Sequence, residues 1–412
     1  MRTTSTIIIG AGQAGLALSR HLSGARHEHV LLERGRVGER WRSERWESLS
    51  LLTPNRFSQL PGFVPHAEPD GFLSRDAFVG YLEEYARSFS APVLEGVSVL
   101  QVTQAPRGGF RVRTDAGVWN ADTVVLATGY ADEPLVPAVA AAAPDGLIQL
   151  HSSRYRSPGR MPPGGVLIVG AGPSGQQLAA ELRRTGRRVV LAVGRHARMP
   201  RRYRGHDIWH WLTELGSLED TLADVPHERS ASRSPSLALS GAGGGERLDL
   251  TSLAAAGVVV TGRLRGFSGR HALFAADLRT TVEESDRRMR RLLEKIDRHI
   301  DACRSSEPAA AEPIPPVTLP PGQRMIDLEA DGISTVIWAT GYRRSYPWLD
   351  VDVLGGEGEI AQTRGVTAVS GLYTLGFRFQ HRRKSHFIGG VSDDARFLAT
   401  QILGRSSDVR AA

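Results

Sequence analysis

Apolar and polar positions along this chain fall into short buried-strand runs, each followed by a turn and then a one-faced helical stripe. Thr6, Ile7, Ile8 and Ile9 form the first run, and Leu16, Ala17, Leu18 and Leu22 the stripe after it. Val166, Leu167, Ile168 and Val169 lead in the same way to Leu178, Ala179, Ala180 and Leu182. Such strand–turn–helix units predict a parallel α/β architecture. Apolar runs at 30–32 and 189–193 predict the second strand of each unit. Val124-Val125-Leu126-Ala127-Thr128-Gly129-Tyr130 recurs as Val336-Ile337-Trp338-Ala339-Thr340-Gly341-Tyr342, which predicts that two homologous units close on similar strands. Alternation over 109–115, followed by Val118, Trp119 and Asp122, predicts an antiparallel excursion inside the first unit.

The second unit is longer. Residues 228–247 are rich in Ser, Arg, Gly and Ala without periodicity and read as loop. Met289, Leu292, Leu293, Ile296 and Ile300 share one face of a helix predicted over 282–303. Pro308, Pro313, Pro315, Pro316, Pro320 and Pro321 make 305–322 an extended connector. About 70 residues follow Tyr342, too few for another doubly wound domain, so they are expected to return and complete the first unit.

Both turns carry Gly-x-Gly-x-x-Gly: Gly10, Gly12 and Gly15, with Gln13 and Ala14 between, and then Gly170, Gly172 and Gly175, with Pro173 and Ser174 between. One copy is a weak signal; two copies, each between a strand and a helix, are a strong one. The first glycine permits the turn, the second lets backbone approach a pyrophosphate, and the third lets helix pack on strand. The helix N-terminus then offers unpaired N–H groups to the anion. After the first copy the next strand ends in Glu33, placed to accept hydrogen bonds from a ribose diol and to repel a 2′-phosphate. That suits FAD or NAD. After the second copy the strand ends in Gly194 and Arg195 with no acid, and Arg198, Arg201 and Arg202 follow, which suits the extra phosphate of NADP.

Composition narrows the choices. The chain has 412 residues, 41% hydrophobic and 23% charged, as expected of a globular protein with two or three domains. A net charge of +7 raises nucleic acid binding as a class, but no basic run is interleaved with aromatics. Among the 51 basic residues only Lys295 and Lys384 are lysine, an Arg bias that points to genome composition. No apolar stretch approaches the roughly 20 residues that span a bilayer, and the first strand starts too early for a leader, so a cytoplasmic protein is expected. The 1 cysteine, Cys303, excludes a dithiol relay within the chain. Electrons reaching a flavin here must leave to oxygen, an organic acceptor or another protein. His381 and His386 lack ligand spacing with acids or cysteines, so no metal is expected.

Together these motifs resemble the class B flavin-dependent monooxygenases, flavin monooxygenases and YUCCA-like enzymes among them, and especially their soluble bacterial members. Residues 46–61 resemble the segment running past the flavin. His151-Ser152-Ser153-Arg154-Tyr155 is similar to the end of the flavin monooxygenase fingerprint, although its Phe-x-Gly start is absent and Gly146 stands five residues ahead of the histidine. Tyr155 stands where Baeyer–Villiger members usually have Trp. Residues 371–377 resemble the family's last strand, ending in Gly376 and Phe377.

The resemblance implies two Rossmann-like domains, the NADPH domain inserted into a split FAD domain. Their limits are expected at 1–160, 161–340 with an insertion about 200–320, and 341–412. It implies that NADPH reduces FAD and that oxygen adds to give a C4a-hydroperoxyflavin, which oxygenates a small organic substrate in a water-excluding site. Arg34, Arg40, Trp41, Thr128, Gly129, Thr340, Gly341, Gly376 and Phe377 join the loops, Glu33 and Arg195 as expected cofactor contacts. Asn55 and Gln59 are candidates to hydrogen-bond the flavin, and His151 either sits near the cofactors or orders the linker. Arg378, Arg382, Arg383 and Lys384 are either a solvated loop or contacts to an anionic substrate or phosphate. An NADPH oxidase or acceptor reductase, and a low-turnover nucleotide-sensing flavoprotein, stay open as alternatives. Substrate and oligomeric state are not read from the sequence.

Overall fold

The repeated apolar runs are the central strands of two parallel sheets in the computed structural model, which describes residues 1–225, 234–303, 309–356 and 358–411. Ile7, Ile8, Leu31, Val124 and Val125 in one sheet, and Val166, Leu167, Val190 and Val336 in the other, are fully buried. Parallel strands covered on both faces require such unbroken apolar runs.

In the first sheet the parallel row runs Val93–Glu95, His29–Glu33, Arg2–Ile9, Gly117–Leu126 and Leu372–Thr374. In the second it runs Val259–Thr261, Val189–Ala192, Gly165–Val169, Ile333–Trp338 and Ile148–His151. The two rows are the same arrangement, the third, second, first and fourth strands of a Rossmann unit with a fifth beside the fourth. The fifth strand distinguishes them. The first sheet takes it from the chain's return, the second from the stretch before its own first strand. A boundary at residue 160 is therefore corrected: Ile148–His151 already pairs with Ile333–Trp338, so the first crossing lies before it.

The two crossings run side by side. Glu133–Pro134 pairs antiparallel with Tyr342–Arg343, and Arg343 Nε donates to Glu133 at 3.0 Å. Arg40 bonds the carbonyl of Ala131 and, at 2.5 Å, the carboxylate of Asp132. Arg45 donates to the Tyr342 hydroxyl at 3.2 Å. These contacts fix where the chain passes between sheets.

The predicted excursion is the hairpin Phe110–Thr114 with Gly117–Leu126, extended by Val99–Gln104. Its counterpart in the second unit is Leu264–Ser268, His271–Phe274 and Met325–Asp327. Between the last two of those strands stands the long helix, Leu278–Cys303, which begins four residues before its expected start. It buries Met289, Leu293, Ile296 and Ile300 against Tyr203, Ile208, Trp209, Trp211 and Leu239. The expected loop at 228–247 is in part outside the described residues; its remainder includes the short strand Leu237–Ala238 and a turn at Ala242–Gly244. Pro308 of the connector is likewise outside them. The last helix, Val391–Ala411, lies against the helix Gln13–Gly24 through Val391, Ala395, Leu398 and Ile402.

Candidate functional site

Each glycine of the two loops has the environment its place in the motif demands. Gly10 adopts φ +107° and Gly170 φ +109°, a region that L side chains rarely enter. A Cβ at Gly10 would stand 2.7 Å from the Ala127 carbonyl oxygen, and one at Gly170 2.5 Å from that of Ala339. At Gly15 it would stand 2.0 Å from the Gly10 carbonyl oxygen, and at Gly175 1.8 Å from that of Gly170. At Gly12 and Gly172 it would meet nothing within 4 Å. The outer glycines are closed by protein and the middle ones face open space. That is the fit a pyrophosphate requires, a helix N-terminus whose front is left clear for close approach. Helices Gln13–Gly24 and Pro173–Arg184 start at Gly12 and Gly172 with no side-chain cap, leaving first-turn N–H groups for a ligand. Pro173 occupies that first turn, where its missing N–H costs nothing.

Glu33 is buried at the end of its strand, and its carboxylate accepts from Ala11 N at 2.8 Å and Gly35 N at 3.1 Å. It therefore shapes the first loop as well as standing beside it, and a carboxylate retains further lone pairs for a diol. Arg195 is exposed beside the second loop and makes no hydrogen bond or ion pair among the described residues. Arg198 and Arg201, also expected near a 2′-phosphate, are corrected. Arg198 is buried and ion-paired with Asp286 and Asp249, and Arg201 is buried on Asp207 at 2.7 Å, stacked over Phe72. Internal carboxylates hold them.

Thr128 and Thr340 follow the closing strands, with Gly129 at φ +78° and Gly341 at φ +86°. Gly376, φ +79°, packs so closely on the first helix that a Cβ would stand 2.8 Å from that of Ala14. Phe377 is buried, with the Arg344 guanidinium 4.6 Å from its ring centre. Arg34 pairs with Glu44 at 2.9 Å. Trp41 meets Phe78 edge-on at 4.7 Å and borders the cores of both sheets.

The three candidate catalytic residues separate. Asn55 is buried and its amide is committed at both ends, donating to the Glu68 carbonyl at 2.8 Å and accepting from Leu73 N at 2.9 Å. It holds the 68–73 loop. Gln59 is exposed and makes no side-chain hydrogen bond among the described residues. His151 orders the linker: Nε2 donates to the Gly341 carbonyl at 3.0 Å and Nδ1 accepts from Ser153 N at 3.2 Å, a tautomer dictated by the carbonyl. Burial, the largest influence, holds its pKa below the usual imidazole value, so the ring is neutral.

Residues 46–61 are clamped from the second unit. The Leu52 carbonyl accepts from Arg201 Nη1 at 2.7 Å and from Trp209 Nε1 at 3.2 Å. Trp211, two residues on, faces inward and donates to the Tyr203 carbonyl at 2.7 Å. An aromatic row grows from Trp209, which lies 6.5 Å from Phe57 and 5.2 Å from Phe387. Phe387 lies 4.5 Å from His386, itself 5.1 Å from Tyr130. Each member was visible in the sequence, but nothing there joined positions 57, 130, 209 and 387. Asp132 and Arg45 were missed altogether, because their partners lie 92 and 297 positions away.

Comparison with known proteins places this geometry. The pyridine nucleotide-disulphide oxidoreductase family matches residues 7–211. An uncharacterized CzcO-like oxidoreductase of Geobacillus kaustophilus is 31% identical over 405 residues, covering 96% of this chain and 97% of its own. The indole-3-pyruvate monooxygenase YUCCA1 of Oryza sativa is 33% identical over 190 residues, 45% of this chain and 47% of its own. A flavin-containing monooxygenase from Stenotrophomonas maltophilia shares the fold, with a TM-score of 0.67 at 21% identity, covering 98% of this chain and all of that one. Among the described residues no helix is long and apolar enough to cross a membrane. The chain belongs to the class B flavin-dependent monooxygenase family, as an oxidoreductase whose cofactors are FAD and NADPH.

Proposed function

We propose that this chain is an FAD- and NADPH-dependent monooxygenase that places one oxygen atom of O2 on a small organic substrate, with FAD on the first loop and NADPH on the second. The observation that carries the reading is the inequality of two otherwise matching loops. Glu33 is built into the first, whereas the second ends in no acid and has the exposed cation Arg195, unpaired among the described residues. An acid suits an unsubstituted ribose and a free guanidinium suits a 2′-phosphate.

A flavin bound there would supply the redox chemistry between reduced nicotinamide and oxygen, the second oxygen atom leaving as water. The protein's part is binding and exclusion of water. The N–H groups behind Gly12 and Gly172 hold the two pyrophosphates. Gly376 packs against Ala14 of the first loop from the return of the chain. His151 acts as a positioning residue, fixing the Gly341 turn through a neutral ring. The row from Phe57 to Tyr130 walls the meeting place with apolar surface, which suits oxygen transfer that water would divert. The 1 cysteine removes the dithiol route that related folds use.

Two measurements test the reading. Arg195→Gln should raise the KM for NADPH about tenfold or more with NADH little changed, the loss of a charge-assisted phosphate contact. Oxygen uptake should exceed peroxide release once an accepted substrate is present. Peroxide equal to NADPH consumed with every substrate tried would make the protein an oxidase, and absence of NADPH oxidation would favour nucleotide sensing.

A further inference from the structure

Four cations follow Phe377, and the structure uses three of them. Arg382 pairs with Glu219 at 2.6 Å, Arg383 with Asp220 at 2.9 Å, and Lys384 with Glu219 at 2.6 Å and Asp393 at 2.9 Å. These ties fasten the return of the chain to residues 219–220 and to the last helix.

Arg378 is different. Its guanidinium donates to the Ser234 carbonyl, its Nε is buried without a hydrogen-bond partner, and among the described residues no carboxylate pairs with it. The charged neighbour it does have is Arg383, which repels it, while the Tyr130 phenol favours its charge. His386 brings no compensation. Burial and the Arg378 charge push its ring down to about 3, so it is neutral, and its buried Nδ1 also has no partner. A guanidinium stripped of water without a counter-charge destabilises a fold, and persists where a ligand completes it.

Its position indicates which ligand. Arg378 stands two residues after Gly376, whose backbone presses on Ala14 of the first nucleotide loop. Tyr130 stands directly after the closing turn Thr128, Gly129 of the same unit, and Ser234 belongs to the second unit's insertion. The aromatic row Tyr130, His386, Phe387 and Trp209 runs from this point. We propose that Arg378 is the carboxylate-recognising residue of the substrate site, and that the substrate is a small organic acid whose apolar body lies along that aromatic row. The inference rests on the reading that the first loop holds the flavin. A dinucleotide phosphate would present similar charge, and the test separates the two sources.

The experiment uses the full-length, FAD-loaded protein. Phenylacetate, 3-phenylpropionate and octanoate, each beside its neutral amide, are titrated against the visible absorbance of the oxidised flavin and the thermal unfolding midpoint. At least one acid should bind about tenfold or more tightly than its amide, and inorganic phosphate should compete with the acid and not with the amide. Arg378→Gln should erase the acid's preference, and Arg378→Lys, which keeps the charge and loses the planar fork, should retain part of it. Acid and amide bound equally by the native protein would overturn the proposal, as would a preference that survives Arg378→Gln. A tenfold loss of NADP+ or FAD affinity in Arg378→Gln would overturn it too, by assigning the cation to a dinucleotide phosphate. Binding is read without turnover, so a failure of oxygenation and a failure of acid recognition are told apart. Should Arg378→Gln fail to fold, the Lys variant and the phosphate competition still decide.

Discussion

Single residues divide here between those that protein atoms enclose and those kept open for a ligand. Gly12 and Gly15 lie one helical turn apart on the same motif, yet a side chain at Gly15 would collide with the Gly10 carbonyl while one at Gly12 would meet no protein atom. Gly15→Val should therefore destabilise the apoprotein by about 1–3 kcal/mol through overpacking. Gly12→Val should leave the unfolding free energy within about 0.5 kcal/mol of native and weaken FAD retention at least tenfold. Chemical denaturation of apoprotein and FAD titration check both, and unchanged FAD affinity in Gly12→Val would remove the first loop's pyrophosphate role. The motif was fully legible from spacing because it depends on local backbone geometry. Asn55 shows the opposite case. Its amide looks available in the sequence and is consumed by a loop brought to it by the fold.

At the scale of elements, the helix Leu278–Cys303 shows how far periodicity reaches. The stripe Met289, Leu292, Leu293, Ile296 and Ile300 was plain, and the structure buries all of it but Leu292, which is partly buried at its edge. What it buries against could not be read, because Tyr203, Trp209 and Trp211 precede the helix by more than 60 positions. Ile296 is fully buried at the middle of that contact, so Ile296→Ala should cost about 2–5 kcal/mol, measured by urea denaturation. A loss below about 1 kcal/mol would mean that the helix docks loosely. The same contact seats Trp209, whose indole reaches the Leu52 carbonyl, so loosening the helix should also disturb the segment beside the first loop.

For the whole molecule, burial sets the response to acid. His21, His29, His151, His196, His210, His381 and His386 all have pKa values lowered chiefly by burial. Below the unfolded value of about 6.5, the unfolded chain takes up protons that these rings refuse, so stability falls as pH drops, for His386 down to about 3. Asp394, raised to about 6 mainly by burial, works the other way below that pH, as do Glu181 and Asp207. The histidines outnumber the acids, so the thermal midpoint should change little at pH 7.5 and decline as pH falls through about 6.5 to 5. A midpoint constant or rising over that range would contradict the neutral, buried state of these rings.

The sequence by itself determined the repeated strand–glycine–helix units, their unequal ends at Glu33 and Arg195 and the single cysteine, because each is read from the chain a few positions at a time. Tertiary structure decided the rest. It gave Ile148–His151 to the second sheet, committed Arg198 and Arg201 to internal carboxylates, and left Arg378 without one among the described residues. It also joined positions 57, 130, 209 and 387 into one aromatic row. Whether a charge is free or spent depends on which distant residue the fold brings beside it, and no local pattern records that.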